Sequence, residues 1–285
     1  MIRVQVSLTP SMSKRLIAKG IAKLDFIKKA LKNGVIGIAN STTGAFIVEE
    51  LTGEKVDKGR YACGIITSDG KTCVTDYDQQ LPTVIIIKGK VHRIPRNQNM
   101  YPYVMKMGPE DVVIKSGNVL DPYGKAAVML GDPDGGEIGQ IMGLILGKGI
   151  KLLVPMTLNK TIPIPIEKAI TESGICKVSK SMGMPIGLMP LPGIVFTEID
   201  AIKILTGAEA IPISMGSAEG DGVLTMIIKG DERSVEEAWK IINEIKNEPK
   251  VKAIPMSCEK CAKIMKKDAE KYNVPICPYA KQYLS

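Results

Sequence analysis

Apolar residues alternate from the start of the chain. Ile2, Val4, Val6 and Leu8 occupy every second position, the period of a strand with one buried face. Thr9-Pro10 then opens a helix, with Thr9 as N-cap, Pro10 at the first helical position and Leu16, Ile17, Ile21 and Leu24 on one face. Asp25 caps a second helix that ends at Asn33-Gly34. The stretch 34–51, GVIGIANSTTGAFIVEEL, reads as a buried strand over 35–39, a tight polar turn and a helix over 45–51. The turn is Asn40-Ser41-Thr42-Thr43-Gly44. Its hydroxyls suit N-capping, and free backbone N–H groups at a helix N-terminus favour an anion such as phosphate.

The same pattern continues downstream. Residues 61–77 predict a hairpin turning on Asp69-Gly70, which sets Cys73 opposite Ile66 and Cys63 opposite Asp76, both as packing residues. Further strands are expected at 83–87, 111–115, 126–130 and 151–155, with a Gly-rich turn at 131–136 opening a helix over 137–148. This alternation predicts an α/β fold: a mostly parallel sheet with helices on both faces. From residue 193 the order becomes βαββαβ, that of a ferredoxin-like module, with Trp239 expected in the core beside Val235, Ala238, Ile242 and Ile245. The expected organisation is a main domain over 1–192, a ferredoxin-like domain over 193–255 and a cysteine-bearing tail over 256–285.

Composition narrows the function classes. The chain has 285 residues, 45% apolar and 24% charged, which is globular usage. Its net charge of +8 is spread over helices, as in Lys14, Lys19, Lys23, Lys28, Lys29 and Lys32, so it favours an anionic small molecule as partner. Three Phe and one Trp leave little for base stacking. One basic stretch, 88–106, carries Lys88, Lys90, His92, Arg93, Arg96 and Lys106 with Tyr101 and Tyr103 between them. It reads as a solvated connection, a lid for an anion, or an RNA patch. The most apolar later run, 138–156, is broken by Lys148 and Lys151, so no membrane partner and a cytoplasmic location are expected, with a homo-oligomer as the assembly. A single histidine excludes mechanisms that need two imidazoles.

Six cysteines in such a chain do not make a disulfide framework. Three of them, Cys258, Cys261 and Cys277, form Cys-x-x-Cys followed by Cys-Pro near the C-terminus. Three thiolates suit a [4Fe–4S] cluster with one open iron. The alternative is zinc completed by Cys63, Cys73, Cys176 or His92, and the metal-free readings are a redox dithiol or buried structural thiols.

The segment 118–157, NVLDPYGKAAVML then GGEIGQIMGLILGKGIKLLVPMT, resembles the superfamily that joins ribose-5-phosphate isomerase, glucosamine-6-phosphate deaminase, CoA transferases and the initiation-factor-2B group. The resemblance spans about 34–255 by order of pattern. It implies a phosphate loop at Asn40, Ser41, Thr42, Thr43 and Gly44, joined by Gly117, Asn118, Gly135 and Gly136. Isomerases of this superfamily use a carboxylate where this chain has Asn118, and an amide cannot act as a general base. Asp121 then stands as its substitute, with Lys115 to steady an enediolate and Glu137 as a second acid/base. The resemblance thus implies an enzyme acting on a phosphorylated or carboxylated molecule. The other reading is a non-catalytic effector-binding or assembly protein with a structural zinc tail.

Overall fold

The computed structural model describes residues 1–95, 98–216 and 220–284; Arg96, counted in the basic stretch, lies outside them. The chain opens with β1 (Ile2–Leu8), α1 (Pro10–Ile21), α2 (Asp25–Asn33), β2 (Val35–Ile38) and α3 (Thr42–Thr52). A hairpin of β3 (Gly64–Ile66) and β4 (Thr72–Val74) precedes a second one, β5 (Val84–Ile87) with β6 (Lys90–Arg93). Then come α4 (Tyr101–Val104), β7 (Val112–Ile114), β8 (Val119–Leu120), β9 (Ala126–Leu130), α5 (Gly136–Lys148) and β10 (Lys151–Pro155). A 3-10 turn (Leu158–Lys160), α6 (Ile166–Glu172), β11 (Gly187–Leu191), β12 (Ile194–Phe196) and α7 (Glu198–Thr206) follow. The last elements are β13 (Glu209–Met215), β14 (Leu224–Gly230), α8 (Glu232–Ile245), α9 (Cys258–Tyr272) and α10 (Pro278–Lys281).

The fold is α/β around a six-stranded mixed sheet ordered β12-β10-β7-β2-β5-β6. The first four strands are mutually parallel, while β5 and β6 run antiparallel to their neighbours. Continuous apolar runs such as Val35–Ile38 and Val84–Ile87 form its centre because such strands are buried on both faces. Alternate residues supply two cores. Ile36, Ile38, Val84, Ile86, Val112 and Ile114 pack with side chains of α1, α3 and α7. Ile85, Val113, Leu152 and Val154 pack with Ile138, Ile141 and Ile145 of α5.

Local signals explain most helix ends. Thr9 caps α1 by accepting from the Met12 N–H, and Ser41 caps α3 by accepting from Gly44. Gly149 ends α5 in the left-handed conformation at φ 67°. At Gly20 α1 passes so close to α7 that an added Cβ would lie 2.9 Å from Ala201. No helix among the described residues is long and apolar enough to cross a membrane.

Several elements differ from the sequence reading. The βαββαβ run does not close into one sheet. Its strand at 194–196 pairs in parallel with β10, and 251–255 forms only the bridge Thr75↔Pro255. The N-terminal β1 instead pairs along β14, Ile2↔Gly230 through Leu8↔Leu224, giving a three-stranded sheet β1-β14-β13. Trp239 is 45% exposed; α8 buries Val235, Ala238, Ile241, Ile242 and Ile245, which leaves the indole beyond the edge of the apolar stripe. The basic stretch begins as an edge hairpin. Lys88 and Gly89 turn it with φ of 46° and 78°, and Arg93 is engaged by Glu54.

The β3–β4 register differs by one residue from that of a two-residue turn. Thr67 N–H donates to Lys71 O at 2.9 Å, so the loop is longer and Ile65, not Ile66, lies opposite Cys73. A one-residue shift moves side chains to the other face. Cys73 therefore shares the face of Ile65 and Cys63.

Candidate functional site

The parallel strands β2 and β7 are neighbours, and the chain winds from β2 outward to β5 and β6 before returning to β7, β10 and β12. Ligands of open α/β sheets bind outside the carboxyl ends of strands where the winding reverses. A cavity of about 360 Å³ lies there. Asn40 after β2, Lys115 after β7, and Gly135, Gly136 and Glu137 at the start of α5 all line it. Its outer wall consists of the β3–β4 hairpin and α9, through Cys63, Cys73, Tyr77, Cys261, Met265 and Asp268.

The outer wall is stitched together by backbone bonds. Met256 N–H donates to Val74 O at 3.0 Å and Asp76 N–H to Ile254 O at 2.9 Å. Further along the same edge of β4, Met184 N–H donates to Thr72 O at 2.8 Å, and Gly183 at φ 91° abuts the Thr72 backbone too closely for any Cβ. Ser257 caps α9 by accepting from the Lys260 N–H, and the Lys260 ammonium bridges Asp76 and Asp78. A tail of this size cannot bury its own core, and these contacts moor it to the hairpin.

Of the residues singled out for chemistry, Lys115 and Glu137 meet in the cavity, and Asp121 is not among its lining residues. Glu137 also anchors α4, since its Oε1 accepts from the Met100 N–H at 3.0 Å. Asp121 is 2% exposed and already engaged. Its Oδ1 accepts from the Tyr123 and Lys125 N–H groups, both at 2.9 Å, and its Oδ2 from Ile166 at 3.2 Å. Burial disfavours the ionised form, but these backbone donors outweigh it and hold the carboxyl below the usual range.

The ligand-binding set divides likewise. Asn40, Gly135 and Gly136 line the cavity; Ser41, Thr42, Thr43, Gly44, Gly117 and Asn118 do not. Gly135 and Gly136 stand in consecutive left-handed conformations, φ 82° and 57°, which glycine alone adopts readily. The Asn40 amide donates to Leu81 O at 3.0 Å while its carbonyl accepts from Thr83. Ser41 and Ser116 hydroxyls lie 3.1 Å apart, tying the ends of β2 and β7, and Asn118 Oδ1 accepts from Met129 N–H at 3.1 Å. Thr42 and Thr43 belong to the first turn of α3, so the loop is shorter than the sequence suggests.

Of the tail cysteines, Cys261 lines the cavity, Cys258 is half-buried and Cys277 is 5% exposed in a small core with Ala262 and Ala280. Burial, then the neighbouring thiols Cys277, Cys258 and Cys73, push the Cys261 thiol up to about 11. Burial and Cys258 likewise raise Cys73. Among the described residues, no three His, Cys, Asp or Glu side chains are grouped so as to hold a metal ion. The exposed His92 stands on the edge strand β6.

A second polar cluster escaped the sequence reading. Lys160 donates to Gly117 O at 2.7 Å, Glu198 is fully buried and accepts from Leu158 N–H at 3.1 Å, and Lys14 of α1 faces the same carboxylate. Burial, followed by repulsion from Lys14, pushes Lys160 down to about 8, and burial raises Glu198. The only signal in the sequence is that Lys160 and Glu198 each follow a parallel strand, β10 and β12.

Comparison of the chain with protein-family models, curated proteins and solved structures finds no match.

Proposed function

We propose that the chain is an enzyme acting on a small phosphorylated or carboxylated molecule held between the carboxyl ends of β2 and β7 and the α9 wall. One observation carries this reading: Lys115, Glu137 and Cys261, far apart in sequence, line one cavity of about 360 Å³. That volume is in the range of small-molecule sites, which run from roughly 300 to 1,000 Å³. Lys115 and the N-terminal end of α5 attract the anionic group. Glu137 is the acid/base, and Asp121 fixes the adjoining turn.

The acidic lining limits the ligand. Asp132, Asp268 and Glu137 share the cavity with one lysine, Lys115. A simple polyanion is repelled there, whereas a molecule carrying one anionic group and several hydroxyl or amino donors satisfies both signs. Sugar phosphates meet that description, in keeping with the resemblance to sugar-phosphate isomerases. Cys258, Cys261 and Cys277 are the candidate ligands of a metal centre beside the cavity.

A finer reading of the fold accompanies this one. Helices cover both faces of the main sheet, and the β1-β14-β13 sheet with α1, α7 and α8 is a ferredoxin-like unit in which the N-terminal strand replaces the first strand of the 193–255 run. The alternative function, a non-catalytic effector-binding protein, draws on Asn118, which cannot move a proton. Thermal-shift and turnover screens of sugar phosphates and CoA thioesters separate the two. The enzyme reading expects conversion that is lost in Glu137→Gln and binding that weakens in Lys115→Met. Binding without conversion decides for the effector reading, and ligand affinity unchanged in both variants refutes the site.

A further inference from the structure

Four thiols converge on the junction between hairpin and tail. The bridge Thr75↔Pro255 and the bond from Met256 N–H to Val74 O run the 254–256 segment antiparallel along β4. That pairing ends at Val74 and Met256, one residue from Cys73 on β4 and two from Cys258 at the start of α9. Cys261 lies one helical turn further on, and both Cys73 and Cys261 face the cavity. Cys277 packs with Ala262, the neighbour of Cys261. The Lys71 ammonium, two residues before Cys73, sits 4.8 Å from the Tyr279 ring centre, two residues after Cys277. Three chain segments thus bring one thiol each from β4 and the Cys277 turn, and two from α9.

We propose that Cys73, Cys258, Cys261 and Cys277 together ligate one [4Fe–4S] cluster, which locks the outer wall of the cavity in place. This rests on the proposed metal centre of the tail and changes its character. Four thiolates ligate all four irons of a cubane, so no iron is left open to bind substrate. The centre holds the hairpin and tail together and leaves the chemistry to Lys115 and Glu137. A single tetrahedral ion with Zn–S bonds of about 2.3 Å draws its sulfurs to about 3.8 Å apart, and among the described residues no three His, Cys, Asp or Glu side chains are grouped so as to hold a metal ion. Cys63 lines the same cavity but is exposed, and Cys176 is exposed and absent from the lining, so neither is assigned as a ligand.

The test is anaerobic reconstitution of the full chain with ferrous iron and sulfide, followed by iron and sulfide counts, visible absorption and electron paramagnetic resonance after reduction. About four irons and four sulfides per chain are expected for a cubane. Cys73→Ser is expected to lose that content or its spectrum, as Cys277→Ser does, while Cys63→Ser and Cys176→Ser retain both. Circular dichroism confirms that each variant folds, and Cys73→Ala gives a second substitution at the key position. Cys73 variants with wild-type iron content overturn the fourth ligand. One equivalent of zinc with no iron uptake, or a folded chain that takes up no metal, overturns the cluster. These outcomes are independent of the ligand screen, whose variants leave every cysteine intact: a loaded protein that binds no sugar phosphate fails the cavity reading alone.

Discussion

Asp121→Asn separates a structural carboxylate from a catalytic one. The wild-type side chain accepts three backbone N–H groups, two on Oδ1 at 2.9 Å and one on Oδ2 at 3.2 Å. It thereby closes the 121–125 turn and fastens the start of α6. The amide is isosteric, but its nitrogen is a donor. Two bonds fall from charge-assisted to neutral strength and the third sets donor against donor. Charged hydrogen bonds contribute about 1.5–3 kcal/mol and neutral ones about 0.5–1.5, and an orphaned buried donor costs about 1–3 kcal/mol. The residue is covered mainly by its own turn, so solvent screening favours the lower end, and a net loss of about 2–3 kcal/mol is expected. Urea unfolding followed by circular dichroism reads this as a lower midpoint at unchanged slope. The pH dependence provides a second check. The folded carboxyl titrates below its unfolded value of 3.8. Its stabilising effect is therefore complete above the unfolded value and is lost as pH falls through the folded one. The gap between wild type and variant must close in acid. A variant with wild-type stability at pH 7 that has lost turnover refutes the argument and returns Asp121 to the acid/base role.

Two further predictions follow from charged groups outside the cavity. Arg15 binds Glu49, Glu50 (2.9 Å) and Glu248 (2.8 Å), and Arg15→Met takes the shared cation from all three carboxylates, of which Glu49 keeps Lys58 at 2.7 Å; chemical denaturation should show a loss of about 2–4 kcal/mol at pH 7, and a loss below about 1 kcal/mol, within the range of an exposed pair, refutes it. Lys160 is held at about 8 when folded against 10.5 unfolded, so the folded state resists its protonation and stability rises with pH between those values; the melting temperature of wild type relative to Lys160→Met should climb across that window, and a pH-independent difference refutes the assignment.

What could be read from the sequence was governed by local physics. Short apolar runs bounded by Gly or polar clusters, as at 35–39 and 151–155, form the parallel strands, since little besides a buried strand suits such a run. Thr9, Ser41 and Gly149 mark helix ends because their side chain, or the lack of one, meets a specific orphan backbone group. The pairing of β1 with β14 carries no local signal. The two strands are more than 200 residues apart, and alternation in Ile2, Val4, Val6 and Leu8 identifies a strand without naming its neighbour. The same limit applies to Ile194–Phe196, whose place beside β10 follows from the parallel register Leu153↔Ile194.

The site shows a sharper version of that limit. Lys115, Gly135, Gly136 and Glu137, which the resemblance implies as site residues, each follow a strand or open a helix, and loops at the carboxyl ends of parallel strands converge by construction. The hairpin followed another rule. Asp69-Gly70 is a strong signal for a two-residue turn, but the Thr67 hydroxyl accepts from the Lys71 N–H at 3.0 Å and stabilises a longer loop. One extra residue in a turn inverts the facing of a whole strand, so Cys73, which the shorter turn sends away from Cys63, is turned onto the cavity with it. A cysteine that counts as packing in one register becomes a neighbour of the tail thiols in the other. The assignment of the fourth ligand thus depends on one backbone bond, Thr67 N–H to Lys71 O, and on the bridge that carries 254–256 along β4.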